Sequence, residues 1–292
     1  MPAKRSQSPI QWYRLRCVGC ACLTAGVWSG IWMTTPVPGQ PGRALVAAQP
    51  AAQAAALPAR RPLREGAAII IDAGHGGRDP GKPAGEQLEK TWTLRVSLAL
   101  AEELRARGWP VELTRADDAA VSLGERADFA NGAPRRALVS IHFNSGQPEA
   151  AGLEVYFAWP KSPETMVRLD AELSAPAQSS VRDDRGRLLA EALQSAACAA
   201  TGSRSRGVRN DPDLAVLNRT RCPSVLVECG FLTNVAECEA IQSDAWRQRL
   251  VTGLADGLES WLEAAREPGY GVSFEPVAGV AAGIPAAAGN AQ

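Results

Sequence analysis

AAIIIDAGHGGRDPGKPAGEQLEKTWTLRVSLALAEELRARGWPVELTR, residues 67–115, holds the information that decides the fold. It opens on a short apolar run with three consecutive isoleucines, Ile69–Ile71, which reads as a buried strand. Residues 74–88 follow with five glycines and two prolines, too many breakers for anything but a loop. From Glu89 to Arg107 apolar residues recur at helical spacing, at Leu94, Leu98, Ala101 and Leu104, and Gly108 stops the run. Val111–Thr114 is a second strand. Strand, loop, helix and strand in this order form a unit that needs a sheet with helices packed on it.

The rest of the chain repeats the pattern. Ser122 and Glu125 form a capping box that opens a helix to Asn131. Ala137–His142 and Leu153–Trp159 read as strands, Leu188–Ala200 as a helix ended by Gly202, and Ser224–Val227 as a strand. Asn234 and Glu237 cap a short helix to Ile241. Trp246, Leu250, Leu254, Leu258 and Trp261 or Leu262 mark a closing helix. The expected fold is a single α/β domain with helices on both faces of a sheet. In such sheets function collects at strand ends.

Residues 67–265 hold this domain. Residues 1–34 read as a signal peptide or N-terminal membrane anchor: Lys4, Arg5, Arg14 and Arg16 precede an uncharged apolar stretch from Cys17 to Met33. Residues 35–66 are an Ala/Pro/Gly-rich linker, in which cleavage near Ala52–Ala56 is an option. Residues 266–292 are a low-complexity tail with little to pack. Across 292 residues, 31 basic and 31 acidic side chains cancel, which argues against a polybasic nucleic-acid binder. Of seven cysteines, Cys17, Cys20 and Cys22 lie in the leader. Cys198, Cys222, Cys229 and Cys238 lack paired metal spacing and are either small buried thiols or, in an exported protein, partly bridged.

The two histidines, His75 and His142, both follow strands. A single histidine at such a place is usually structural; two at equivalent strand ends point to a shared site. Glu228 ends a third apolar strand, where an unpaired carboxylate is costly, so it needs a partner or an open site. Glu89 starts the first long helix at the exit of the Gly-rich loop. A phosphate cradle in that loop fits neither GxGxxG nor P-loop spacing. Two imidazoles and one carboxylate make a catalytic zinc set. A second carboxylate, off the metal, would then serve as general base and acid. Glu89 and Glu228 share these two roles.

The segments IIIDAGHGGRDPG (69–81), LEKTWTLRVSLALAEELRARGWPVELTR (88–115), VSLGERADFAN (121–131), LVSIHFNSG (138–146), GLEVYF (152–157) and RGVRNDPDLAVLNRTRCPSVLVECGFLTN (206–234) resemble the zinc-dependent N-acetylmuramoyl-L-alanine amidases. The resemblance covers nearly the whole domain. It implies a phosphorylase/hydrolase-like fold with a mixed, mainly parallel sheet. It also implies hydrolysis of the amide between N-acetylmuramic acid and L-Ala of the peptidoglycan stem peptide. The family's metal positions fall on His75, Glu89 and His142, with Zn2+ as cofactor, and its catalytic glutamate on Glu228. Glu86 is a rival for Glu89 but lacks the following lysine, and Phe143 stands where the family more often has alanine.

Peptidoglycan as substrate places the protein in the periplasm or cell envelope, with the N-terminal segment contacting the membrane during export or as an anchor. A protein activator fits residues 160–185, longer than the bare family core. Glu164, Asp170, Glu172, Asp183 and Asp184 make that stretch either a lid whose acidic group reaches the metal or a solvated surface excursion. Two other readings use the same residues: a zinc carboxypeptidase acting on wall peptides, and a non-catalytic wall-binding module.

Overall fold

The computed structural model describes residues 68–82, 87–132, 135–174 and 179–276, all within one compact unit. The leader, the linker, residues 277–292 and Glu86 lie outside the described residues. Among the described residues no helix is long and apolar enough to cross a membrane.

Six strands form the main sheet: β1 (Ala68–Ala73), β2 (Val111–Leu113), β3 (Arg135–Asn144), β4 (Leu153–Phe157), β6 (Ser205–Asn210) and β7 (Ser224–Phe231). Their order is β2-β1-β3-β7-β4-β6. Every neighbouring pair is parallel except β4 and β7, which run antiparallel. The sheet is therefore mixed and mainly parallel, as expected. β-Branched residues fill its centre, where both faces are covered and alternation gives way to continuous apolar runs.

The two faces are covered unequally. Ile69, Ile71, Val139, Ile141, Val225 and Val227 face a large apolar cluster. It is completed by α1 (Glu89–Ala106), α4 (Arg185–Thr201) and α7 (Asp244–Ala264). On the opposite face, Ile70 and Leu138 meet a smaller cluster with Ala130, Val216 and Leu217. These come from α2 (Leu123–Asn131) and the short α5 (Ala215–Arg219). The thin layer stops below the strand ends. Farther along the strands the same face carries Glu228, opposite His142 in register, and His142, which lines a cleft.

The helix starts follow the sequence. Ser122 and Glu125 form the reciprocal capping box. The Asn234 side chain accepts from the Glu237 backbone N–H and opens α6 (Val235–Gln242). In α7 the expected stripe Trp246, Leu250, Leu254, Leu258, Trp261 and Leu262 is buried. In α1 the buried stripe is displaced: Trp92, Val96, Leu100 and Leu104 face the core, while Leu98 is exposed. Polar Thr93 and Ser97 lie on the buried side and disguise the true face in the sequence.

Four elements were not anticipated. The edge strand β6 is polar and interrupted by Gly207, and α5 is only one turn long. β5 (Ser179–Asp183) pairs antiparallel with β8 (Val272–Pro276) in a separate two-stranded sheet. Described secondary structure thus extends to Pro276, past the expected boundary near 265. A backbone ladder between two sequence-distant polar segments leaves no periodic mark.

Residues 160–185 contain α3 (Pro163–Glu172) and β5. Their acidic groups are all engaged away from the strand ends. Glu164 pairs with Arg168, Glu172 with Arg221 and Asp183 with Arg185. Asp170 accepts from the Val181 N–H, and Asp184 lies beside Arg182 and Arg187. The surface excursion, not the acidic lid, is what folds. Among the described residues Cys198, Cys222, Cys229 and Cys238 form no disulfide with one another, in keeping with the unbridged reading.

The corrected phase of α1 gives a direct test. Leu100→Ala removes a fully buried side chain and should cost about 2–5 kcal/mol. Leu98→Ala on the exposed side should stay within about 0.5 kcal/mol. Urea unfolding of the two variants measures both, and equal losses would contradict the assigned face.

Candidate active site

The loop after β1 has lost its ladder partners, so its backbone carbonyls must find donors elsewhere. Two buried arginines supply them. Arg115 donates to the carbonyls of Ala73 and Gly74 at 2.9 and 2.8 Å. Arg126 donates to those of Ala73 and His75 at 2.7 and 2.6 Å. Asp72, at the end of β1, provides the countercharge. It pairs with Arg126 and accepts from Thr114 and Ser140 hydroxyls, each at 2.6 Å. Burial, and then the charge of Arg126, lower the Arg115 pKa.

This clamp fixes His75 with φ at 59°, in the left-handed region where few non-glycine residues sit. That turn aims the His75 ring at the end of β3. Its Nε2 lies 3.1 Å from Glu89 Oε2, and its Nδ1 lies 2.7 Å from Asp79 Oδ2. His142 points from β3 toward the same carboxylate, with Nδ1 3.0 Å from Glu89 Oε1. The two imidazoles stand edge to face, centroids 4.8 Å apart. Gly74 makes room for them: a Cβ there would fall 2.4 Å from the His142 ring.

Glu89 begins α1 and is only 2% exposed. It accepts the backbone N–H groups of Lys82 at 3.0 Å and Phe143 at 3.1 Å. Burial alone would raise its pKa, but hydrogen bonds and charge from His142 and His75 hold it well below the usual carboxylate range. Burial pulls His75 down, yet Glu89 and Asp79 outweigh it and leave that imidazole raised. Lys90 has a separate task. Its Nζ donates to the Gly77 carbonyl and to Asp118, tying down the outer side of the loop.

One ligand atom from each of His75, Glu89 and His142 lies within 4.8 Å of the others, a group that could hold a metal ion. Two imidazole nitrogens and a carboxylate suit zinc chemically. Asp79 on His75 Nδ1 is the outer carboxylate that typically orients a ligating imidazole.

Glu228 sits beside this group because β7 pairs with β3 in a register that sets Glu228 opposite His142. Its Oε2 is buried and has no hydrogen-bond partner among the described residues. Burial pushes its pKa to about 7; His142 opposes the shift, and the Glu89 and Glu154 charges reinforce it. A carboxylate poised there suits proton transfer near neutral pH. A cleft of about 660 Å³ opens on the same face, with Val121, Leu123, Leu214 and Leu226 in its walls beside His75 and His142.

All four residues singled out in the sequence therefore converge. Residues 69–260 match the family model described as N-acetylmuramoyl-L-alanine amidase. The chain belongs to that family. It is 30% identical over 237 residues to N-acetylmuramoyl-L-alanine amidase AmiC of Neisseria meningitidis, covering 70% of this chain and 54% of the relative. The chain thus spans about half the length of that relative. The crystal structure of an N-acetylmuramoyl-L-alanine amidase from Clostridium difficile 630 superposes with a TM-score of 0.58 at 28% identity, covering 68% of this chain and 97% of that one. The CwlD amidase of Clostridioides difficile, solved in complex with the GerS lipoprotein, gives a TM-score of 0.58 at 25% identity, with coverage of 68% and 99%. The mixed, mainly parallel sheet with flanking helices is shared with these amidases.

Asp72, Asp79, Arg115 and Arg126 support the site without a local sequence signal that marks them for it. Asp72 and Asp79 stand in the quoted Gly-rich motif, but their partners are remote or local contacts that spacing does not reveal.

The raised Glu228 pKa predicts a pH effect on stability in the metal-free protein. The folded state holds the Glu228 proton up to about pH 7, against an ordinary value of 4.5. The native state therefore binds more protons in that window, and wild-type stability falls as pH rises through it. Glu228→Gln removes this dependence. The variant should match wild type near pH 4 and exceed it by a few kcal/mol above pH 7. Chemical denaturation at the two pH values tests this; a constant difference would contradict it.

Proposed function

We propose that the protein hydrolyses the amide between the lactyl group of N-acetylmuramic acid and L-Ala of the peptidoglycan stem peptide, as a zinc enzyme. His75, Glu89 and His142 would hold the zinc, and Glu228 would be general base and acid. The observation that carries this is the orphaned, buried Oε2 of Glu228 beside the converging triad. Bound zinc supplies a water of pKa near 7 and polarises the scissile carbonyl.

The residues divide the work as follows. Glu89 contributes the anionic ligand and is held ionised by its two imidazole neighbours. Asp79 orients His75 from behind. Glu228 accepts the proton of the attacking water and passes it to the amide nitrogen as the C–N bond breaks, which releases a neutral amine.

The substrate lies outside the inner membrane, which supports export by residues 1–34 and a place in the periplasm or cell envelope. Cell fractionation finding the full-length protein free in the cytosol would contradict this. The CwlD amidase is solved in complex with the GerS lipoprotein; a protein partner of this chain, acting as activator, would have to work by some route other than an acidic lid from 160–185.

Two carboxylate variants separate ligand from base. Glu89→Gln should lose both zinc and rate. Glu228→Gln should keep its zinc and lose about 10²–10⁴ in rate on purified sacculi. Atomic absorption and turnover read the two effects, and the opposite pattern would reverse the assignments. Zinc should also be lost below about pH 5 as the imidazoles protonate. Full activity after exhaustive chelation would rule out a metal mechanism.

A further inference from the structure

Beyond Glu228 the same sheet face carries a second charged group. Glu154 on β4 lies opposite Glu228 in register, and its side chain is only 3% exposed. Its Oε1 accepts from Asn144 Nδ2 at 2.8 Å and from the Tyr156 hydroxyl at 3.0 Å. Its Oε2 faces two guanidinium groups on the edge strand β6: Arg206 Nε at 2.9 Å and Arg209 Nε at 3.1 Å.

These two arginines are three residues apart, and in a regular strand they would point to opposite faces. β6 is not regular. Leu153 pairs with Ser205 but Val155 pairs with Val208, so three residues on β6 span the distance of two on β4. The extra residue lies at Gly207, whose φ is +88°. A Cβ there would meet nothing within 4 Å, so the glycine serves backbone conformation and not close packing. A bulge of this kind re-aims side chains. Here it brings Arg206 and Arg209 to one face.

One arginine neutralises Glu154. The second leaves the three-residue group with a net charge of +1, and Arg209 is 49% exposed. Arg206 is steadied by the Phe231 ring, 4.9 Å from its guanidinium carbon. Nearby Glu237 is committed to the backbone N–H groups of Gly152 and Phe231. The sheet thus sets out a row: the metal triad at β1 and β3, Glu228 on β7, Glu154 on β4 and the arginines on β6. Adjacent strands are about 4.8 Å apart, so the arginine heads gather roughly 5–10 Å past Glu228. Two extended residues span about 7 Å.

From this placement we infer that Arg206 and Arg209 form an anion subsite that binds a free carboxylate on the peptide half of the substrate, one or two residues beyond the scissile nitrogen. Holding that carboxylate over β4 and β6 seats the leaving nitrogen at Glu228 and the carbonyl at the triad. The inference rests on the amidase reading with Glu228 as proton carrier.

The test compares two soluble substrates with the zinc-loaded full chain. Both are N-acetylmuramoyl-L-Ala-D-Glu compounds with the γ-carboxyl blocked as an amide; one has its α-carboxylate free, the other carries the α-carboxamide. Wild type should show a KM about 10-fold lower for the free carboxylate, the worth of a charge-assisted hydrogen bond. Arg209→Ala should raise KM about 10-fold for that substrate alone, with kcat within about 2-fold, and Arg209→Lys should recover part of the loss. Equal kcat/KM of wild type on both substrates would overturn the subsite without any variant. So would an Arg209→Ala effect that falls equally on the two. A wild type that cleaves neither overturns the amidase reading, and the subsite with it.

Discussion

The arrangement depends on a buried carboxylate between two imidazoles. Glu89 is almost inaccessible, and its charge survives because His75, His142 and two backbone N–H groups converge on it. Leaving such a charge unpaired in the interior would cost several kcal/mol. Helix α1, the end of β3 and the loop after β1 are therefore bound to one another through a single side chain. A divalent cation held by the same three side chains would add a further countercharge to this carboxylate.

The remaining structure holds these three elements in register. The parallel pairing of β1, β3 and β7 brings Asp72, His142 and Glu228 to adjacent strand ends on one face. On that face a cleft lined by residues of α2 and α5 opens beside His75 and His142. Asp72 then pairs with Arg126, while Arg115 and Arg126 occupy the loop carbonyls. Rigidity at the loop comes from buried charge, and access comes from the thin second layer.

Much of this was legible in the sequence because it was written locally. Ile69–Ile71 and the apolar run before Glu228 are β-branched or aliphatic and flanked by polar or breaker residues. Ser122 and Asn234 announce their helices through caps. His75 and His142 stand out by being the whole histidine complement. Other features depend on distant pairing. The Asp72–Arg126 bond joins residues 54 positions apart, and nothing in the local pattern marks it. Strand β6 is polar and bulged at Gly207, so it lacks the alternation that betrays a strand. The face of α1 was misphased because Thr93 and Ser97 are buried there, Thr93 donating to the Gly74 carbonyl. The ladder from Val272 to Pro276 pairs segments that carry little apolar content.

The central claim is that His75, Glu89 and His142 are the metal ligands and that Glu228 is not. X-ray absorption at the zinc edge of the loaded protein tests it most directly. The account predicts a first shell of nitrogen and oxygen, with the multiple-scattering signature of two imidazoles at Zn–N distances of about 2.0–2.1 Å. That spectrum should be unchanged in Glu228→Gln. A sulfur shell at about 2.3 Å, the mark of a cysteine ligand, or loss of one imidazole signature, would contradict it.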